Sequence, residues 1–283
     1  MRKSSDNRTM VLKAFLSRCP PEKSRALERF LPEGERLHLE RLPPFAEEVT
    51  PEAFANGGML EKVHWSWFLP TLETYPDAEQ KLFLSSLSPY AAKNLAKALK
   101  VSASTVEITE IARSFLRQIL IHSLTGPEDR LLPVNFLPPS PLTPLLHMSK
   151  KELIGLIDSL SIYDLAAELR QIVETKILKK IYSFLSEGEK KFLKVATAHK
   201  EHFVLTRMGL ERWDGTEDSF RTLLHRRGLA RLGAALSGQN PDFIWYICHQ
   251  LDIGRGNALF KLCTKEATHG VSDVVIRQIE DLL

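Results

Sequence analysis

The stretch KELIGLIDSLSIYDLAAEL, from Lys151 to Leu169, decides the fold class of this protein. Its apolar residues recur every three or four positions, which is the spacing that gathers side chains on one face of an α-helix. Leu160-Ser161 marks a short break in the run, so we predict one helix over 149–159 and a second over 162–172. The strict alternation of apolar and polar residues that indicates a half-buried strand is absent. The stretch therefore predicts packed helices.

The same spacing continues on both sides of this stretch. Upstream, helices are predicted over Asp77–Leu87, from Pro89 onward, and over Thr105–Leu124. The apolar face of the last of these contains Ile108, Ile111, Ala112, Phe115, Ile119 and Leu120. Downstream, helices are predicted over 174–185, 187–198, 217–224, 226–236, 241–250, 254–264 and 272–282. The sequence therefore predicts an all-α protein.

Proline and glycine divide the chain into four parts. Residues 1–58 form an irregular N-terminal arm, with helices expected over Val11–Ser17 and Pro21–Leu31. From residue 32 to residue 58 we expect a loop with at most one helical turn, because prolines and a Gly57-Gly58 pair interrupt it. A small helical domain over 59–125 precedes a Pro-rich linker over 126–146, which we expect to be extended and stiff. Residues 147–283 form a larger, armadillo-like helical domain.

Composition excludes several classes of protein. Hydrophobic residues make up 43% and charged residues 26%, as in ordinary globular proteins. A net charge of +3, spread along the chain, does not predict a nucleic-acid partner. The three cysteines suit a reducing compartment.

We expect no secretory signal and no membrane span, since the best apolar run, Phe115–Leu124, is half the length of about 20 residues that a span needs. The expected location is cytoplasmic, and peripheral to the inner membrane is the alternative.

Three segments share a pattern of apolar helix, short break and second apolar helix: Leu82–Ala92, Leu153–Leu165 and Leu232–Phe243. Their spacing of about 75 residues exceeds one armadillo or HEAT repeat of about 40–47 residues. When the second segment is laid on the third, Asp164 falls on Asp242, and the apolar core positions that follow also coincide. Chance similarity between two amphipathic helix pairs is the alternative. We expect both aspartates in the first turn of a helix, where a carboxylate suits the helix dipole, and not in a catalytic site.

A family resemblance rests on the segment that runs from Met148 through LSIYDLAAEL, at Leu160–Leu169, to Glu187. This segment resembles the C-terminal region of the flagellar motor switch protein FliG. In that family, a helix ends at a Leu- or Val-Asp/Ser turn, and a short Leu-Ala-x-Ala-Leu helix and an Ile-x-x-x-Met-Ser sequence follow. Leu82–Leu99 is similar to the middle domain of the same family. The resemblance covers about half of the chain and depends on apolar pattern more than on rare residues.

Two departures from that family change what the resemblance implies. The Glu-His-Pro-Gln motif of the middle domain is absent, and Gly155 stands where the family has a stator-facing arginine. The resemblance then implies a scaffold that generates no torque. A FliG-like or SctK-like adaptor of a type III secretion apparatus, joining the membrane ring to the sorting platform, is the function it implies. The expectation is a non-catalytic structural adaptor without a cofactor.

Motifs that carry chemistry are missing or incomplete. Gly254-Arg255-Gly256-Asn257 lacks the lysine of a phosphate loop, and no Gly-x-Ser-x-Gly elbow is present. His199 and His202 are spaced as two metal ligands would be, but zinc needs three or four. Cys248-His249 with Cys263 is an equally incomplete set, and Cys248 lies in an apolar run. We expect no metal and no catalysis, with an enzyme whose site is assembled from scattered polar residues as an alternative.

Candidate partner-binding residues are basic or aromatic. The basic residues are Lys176, Lys179 and Lys180 on one predicted helix, Lys190, Lys191 and Lys194 on the next, and Arg226, Arg227 and Arg231 beside His225. They fit an acidic protein partner or anionic lipid headgroups, and a solvated helix face is the alternative. A nucleic-acid-binding helical repeat is a further alternative, which would need these groups to join into one basic groove. Nucleic acid binding would normally bring a larger positive surplus and a recognisable module. Trp65 and Trp67 are core residues by default, and interface anchors if exposed.

Overall fold

The computed structural model describes residues 2–42, 59–102, 106–125, 131–172, 174–198, 210, 213–264 and 270–283, and for residues 2–6 and 198 it describes the backbone alone. These residues contain fifteen α-helices and no strand, so the all-α prediction is confirmed for the described part of the chain. The α-helices are α1 (Arg2–Ser17), α2 (Pro21–Glu28), α3 (Glu33–Arg41), α4 (Met59–Lys62), α5 (Leu69–Leu72), α6 (Asp77–Ser86), α7 (Pro89–Leu99), α8 (Glu110–Thr125), α9 (Lys150–Leu169), α10 (Thr175–Phe184), α11 (Glu187–Ala198), α12 (Glu217–Leu236), α13 (Pro241–Gln250), α14 (Ile253–Leu262) and α15 (Val271–Glu280).

The chain divides into two compact units. Unit 1 consists of Met1–Ser140 together with Asn240–Ile253, and unit 2 consists of Pro141–Gln239 together with Gly254–Leu283. The change at Ser140 falls inside the segment predicted as a linker. The division also places α13 in unit 1, whereas the sequence suggests a single domain over 147–283.

Unit 1 is built around a core formed by α4 to α8. The buried residues of this core are Leu60, Val63, Phe68, Leu72, Phe83, Leu84, Leu95, Ala96 and Leu120. The helix α13 is attached within unit 1 by polar contacts: Asp242 accepts hydrogen bonds from the Asn7 side chain (2.8 Å) and the Leu132 backbone N–H (3.1 Å). The Tyr246 hydroxyl donates to the Leu132 carbonyl at 2.8 Å. The segment after α12 thus completes the fold of the N-terminal part.

One expectation for unit 1 is wrong, and one apolar helix face is largely exposed. A loop was expected from residue 32, but α3 spans Glu33–Arg41. Pro32 supplies an extended residue ahead of the helix, and acidic residues in the first turn with basic residues in the last turn suit its dipole. Residues 43–58, which complete the expected loop, lie outside the described residues. On α8, Ile111 and Phe115 belong to the predicted apolar face of the helix, and they are 84% and 65% exposed.

Unit 2 is built around two long helices. Both α9 and α12 are single helices of 20 residues, where the sequence suggested a pair of short helices in each place. The Ser161 hydroxyl, at the expected break in α9, donates to the Asp158 carbonyl inside the helix, so the serine does not interrupt it. The helices α9 and α12 pack against each other, and α11 and α15 also contact α9. Gly228 of α12 lies against the Ile157 carbonyl of α9, where a Cβ atom would be 1.8 Å from the carbonyl oxygen. This close approach requires glycine.

The Pro-rich segment is not simply extended. Short 3-10 helices form at Val134–Phe136, in unit 1, and at Thr143–His147, in unit 2. Its apolar side chains are buried: Leu132, Phe136 and Leu137 in unit 1, and Leu142, Leu145 and Leu146 in unit 2. A 3-10 helix has three residues per turn and forms in short pieces, so it fits between closely spaced prolines. The buried leucines between the prolines anchor the segment. The expectation of an extended spacer is therefore corrected for residues 131–146.

Candidate interaction sites

The lysines of α10 and α11 lie on the surface of unit 2. Lys176, Lys179 and Lys180 are exposed on α10, and Lys191 and Lys194 are exposed on α11. Residues 174–198 contain six lysines and three glutamates, a surplus of three positive charges that equals the net charge of the whole chain. Among the described residues, no carboxylate forms an ion pair with Lys176, Lys179, Lys191 or Lys194. We name these four residues, with Lys180 and Lys190, the lysine surface.

Local contacts moderate the charge of two members of this surface. Lys190 is half-buried and pairs with Glu187 at 2.8 Å. The hydrogen bond and the charge of Lys190, together with the charge of Lys194, lower the pKa of the Glu187 carboxyl. Lys180 lies 5.9 Å from the centre of the Trp213 ring, within the range of a cation–π contact. The remaining lysines carry most of the positive field that a partner would meet.

The second basic group, on α12, is mostly turned inward. Arg226 is exposed, but Arg227 is half-buried and its Nε lies 3.9 Å from the Asp164 carboxylate. Arg231 is only 1% exposed and donates two hydrogen bonds to Asp164 Oδ1, at 3.0 Å from Nε and 2.7 Å from Nη2. Arg231 was predicted to bind a partner at the surface, and its burial shows that prediction to be wrong. The α12 group therefore presents one exposed arginine, Arg226, whereas a basic nucleic-acid groove would need both basic groups exposed.

Asp164 is the partner that the sequence did not reveal. It was expected in the first turn of a helix, but it lies in the C-terminal half of α9 and is fully buried. Burial raises the pKa of its carboxyl, and the charge and hydrogen bonds of Arg231 oppose that shift. Asp242, on which Asp164 was aligned, does lie in the first turn of its helix, α13, as expected. The sequence signal for this ion pair was a charged residue with apolar neighbours on each of the two long helices, α9 and α12.

Trp65 and Trp67 belong to the unit 1 core. Both side chains are half-buried and pack against the buried cluster of that unit. The Trp67 ring stacks on His249 with ring centres 4.0 Å apart, and its Nε1 donates to the Leu251 carbonyl at 2.9 Å. The Trp245 ring also stacks on the His249 ring, with ring centres 3.7 Å apart. Burial lowers the pKa of His249 to about 4. These contacts give the tryptophans a structural role.

A histidine in unit 2 forms a three-residue chain of hydrogen bonds. His225 Nδ1 lies 2.8 Å from Asp158 Oδ1, and Arg255 Nε donates to His225 Nε2 at 3.0 Å. Because a guanidinium can only donate, Nε2 accepts and the proton lies on Nδ1, which donates to Asp158. A general base needs a free nitrogen to receive a proton. With both ring nitrogens occupied, this arrangement holds α9, α12 and α14 in place and does not resemble a catalytic dyad.

A cleft of about 410 Å³ opens beside Asp158. Its walls come from α9, α11 and α12, and its lining combines apolar side chains, two carboxylates and Arg221. Arg221 bonds Glu189 at 2.5 Å and lies 3.9 Å from Glu217. Burial raises the pKa of Glu189, but the hydrogen bonds of Arg221 and Ser186 outweigh it, so the pKa is lowered and the carboxylate stays charged. The volume falls in the range of ligand sites, about 300–1,000 Å³.

The remaining candidates do not form a described site. His199 and His202 lie outside the described residues. Cys248 is buried, as its apolar surroundings indicated, and Cys19, Cys248 and Cys263 form no disulfide. In the described residues, no group of three or more histidine, cysteine, aspartate or glutamate side chains is arranged to hold a metal ion. Within the same residues, no helix has the length and apolarity to cross a membrane.

No protein-family model, curated protein or solved structure matches this chain.

Proposed function

We propose that this protein is a non-catalytic adaptor that binds other proteins through the surfaces of its helices. The lysine surface of unit 2 is the observation that carries the proposal. It presents four exposed lysines that form no ion pair with a described carboxylate, and the helices that carry them, α10 and α11, are anchored in a packed core. Such a surface attracts an acidic partner and speeds its docking.

A second exposed face supports an adaptor more than a single-partner protein. Ile111 and Phe115 lie one helical turn apart on α8 of unit 1 and are largely exposed. Large apolar residues grouped at a surface mark contact sites more often than isolated ones do. Each unit thus carries its own candidate docking face, apolar on unit 1 and basic on unit 2.

The place of this adaptor is proposed from the sequence resemblance alone. A FliG-like or SctK-like chain without torque residues fits the cytoplasmic face of a type III secretion or flagellar-type apparatus. Its partners there would be components of the membrane ring and of the sorting platform. An armadillo-like stacking of helical units belongs to the same proposal.

The test is affinity capture of the tagged full-length protein from its native cells, with mass spectrometry of what co-purifies. The test variant is K176E/K179E, and the matched control is K93E/K97E, which reverses two exposed lysines on α7 of unit 1. We expect the wild type and the control to capture the same secretion-apparatus proteins, and the test variant to lose them. Capture should also weaken with added salt, because exposed charges are screened.

Equal capture by both variants would contradict the role of the lysine surface. Recovery of metabolic enzymes or nucleic acid only, or of nothing reproducible, would refute the secretion assignment. Thermal unfolding of each variant by circular dichroism verifies that lost capture does not reflect lost structure. Reversal of exposed lysines changes stability by only about 0.5 kcal/mol.

A further inference from the structure

We infer that the cleft between α9, α11 and α12 receives a cationic side chain, lysine or arginine, from a partner protein. The inference rests on the adaptor function proposed above and names the chemistry of one partner contact. It concerns unit 2 alone and is separate from the lysine surface, whose charge has the opposite sign.

The cleft has room for one long side chain. Its volume of about 410 Å³ exceeds what a few water molecules occupy, and Ile162 and Phe192 give it apolar walls. Ile162 is almost wholly buried and belongs with Leu193 to the unit 2 core, so these walls are rigid. The aliphatic stem of a lysine or arginine packs well against such surfaces while its charged end stays polar.

Two glycines keep the cleft open. Gly155 and Gly188 both line it. A Cβ atom added at Gly155 would meet no heavy atom within 4 Å, and one at Gly188 would meet only the Ser186 hydroxyl at 4.0 Å. Neither glycine is required by packing there, in contrast to Gly228. A larger side chain at Gly155 would instead occupy space that the cleft leaves free.

The charges of the lining favour a cation over an anion. Asp158 bonds His225 through Oδ1, while no described residue donates a hydrogen bond to its Oδ2. Glu189 is charged because its pKa is lowered. Because Glu189 pairs with Arg221, which also lies 3.9 Å from Glu217, the Asp158 carboxylate leaves the lining with a net negative charge.

Arg255 is another cation close to Asp158, and the His225 ring lies between its Nε and that carboxylate. A cationic head can therefore bond Asp158 Oδ2 in a geometry that a carboxylate or phosphate could not use. Hydrogen bonds between charged groups are the stronger class.

The test uses full-length protein labelled with ¹³C at isoleucine δ1 methyl groups, because the Ile162 methyl reports on the cleft wall. N-acetyl-arginine amide is the probe, and N-acetyl-citrulline amide is its neutral counterpart of nearly equal shape. We expect a saturable shift of the Ile162 signal with the arginine probe, and affinity weaker by about tenfold with the citrulline probe. Asp158→Asn should weaken arginine binding by a similar factor, and Gly155→Leu should abolish the shift.

Gly34→Leu is the matched control, since Gly34 also lies in a helix and a Cβ atom there meets nothing within 4 Å. It should bind the arginine probe as the wild type does. No saturable shift, equal shifts with both probes, or unchanged binding by Gly155→Leu would each overturn the cleft assignment. The same outcomes would leave capture through the lysine surface untouched. Conversely, failed capture of protein partners with intact arginine binding would overturn the adaptor proposal and, with it, the protein source of the cation.

Discussion

Replacing Arg231 with methionine removes one member of a buried ion pair and leaves the other in place. The Arg231 guanidinium and the Asp164 carboxylate are almost completely buried and lie 2.7 Å apart. At an effective dielectric constant of about 20, this separation corresponds to an attraction of about 6 kcal/mol. Moving two charges out of water costs several kcal/mol for each ion, so the intact pair contributes little net stability. Losing Arg231 is different, because the buried Asp164 carboxylate then keeps only the weaker, more distant contact with Arg227 at 3.9 Å.

We expect Arg231→Met to lower the free energy of unfolding by about 3–5 kcal/mol. The double variant Arg231→Met/Asp164→Leu should recover most of that loss, because neither charge then remains in the core. Gln278 Oε1 accepts a hydrogen bond from Arg231, so in both variants it would lose this donor, at a smaller cost in stability. Urea unfolding followed by circular dichroism measures the total effect. Hydrogen exchange at the α9 amides assigns it to unit 2.

Two results would refute this reasoning. One is a loss below about 1 kcal/mol for Arg231→Met, which would mean that Asp164 is solvated or protonated at little expense. The other is a double variant as unstable as the sum of the two single variants, which would mean that the residues do not interact.

Three further predictions concern packing, pH and surface. Gly228→Ala should destabilise unit 2 by about 1–3 kcal/mol or prevent folding, because its Cβ would meet the Ile157 carbonyl; a melting temperature equal to that of the wild type would contradict this. Because burial lowers the pKa of His249 from 6.5 to about 4, the unfolded chain takes up this proton first as pH falls. The stability this residue contributes is complete above pH 6.5 and should be lost progressively down to pH 4, by about 3 kcal/mol, in urea titrations; His249→Phe should flatten that part of the pH profile. Phe115→Ser on the exposed face of α8 should change stability by less than about 0.5 kcal/mol in the same assay, whereas Leu120→Ala, in the core of the same helix, should cost about 2–5 kcal/mol.

Helix positions could be predicted from the sequence where the signals are local. The helices α10, α11 and α13 begin and end within about one residue of their predicted bounds. Proline at the first turn of α7 and α13, and the capping contacts of Ser88 and Asn240, act over three or four residues, and the sequence shows them directly. The all-α class follows from the same short-range periodicity. The exposure of the lysines was predictable for the same reason, since lysines and apolar core positions occupy different faces of α10 and of α11.

Only the tertiary structure decided which residues meet across long separations. The continuity of α9 through Ser161 depends on burial against α12, which stabilises a helix that local polarity alone would interrupt. The inward position of Arg231 depends on a carboxylate 67 residues away in the sequence. The cleft forms only where α9, α11 and α12 come together. On α8, the described residues leave Ile111 and Phe115 largely exposed. Periodicity identifies an apolar face, but it does not say which neighbour covers that face, because the covering residues are specified by the packing of distant segments.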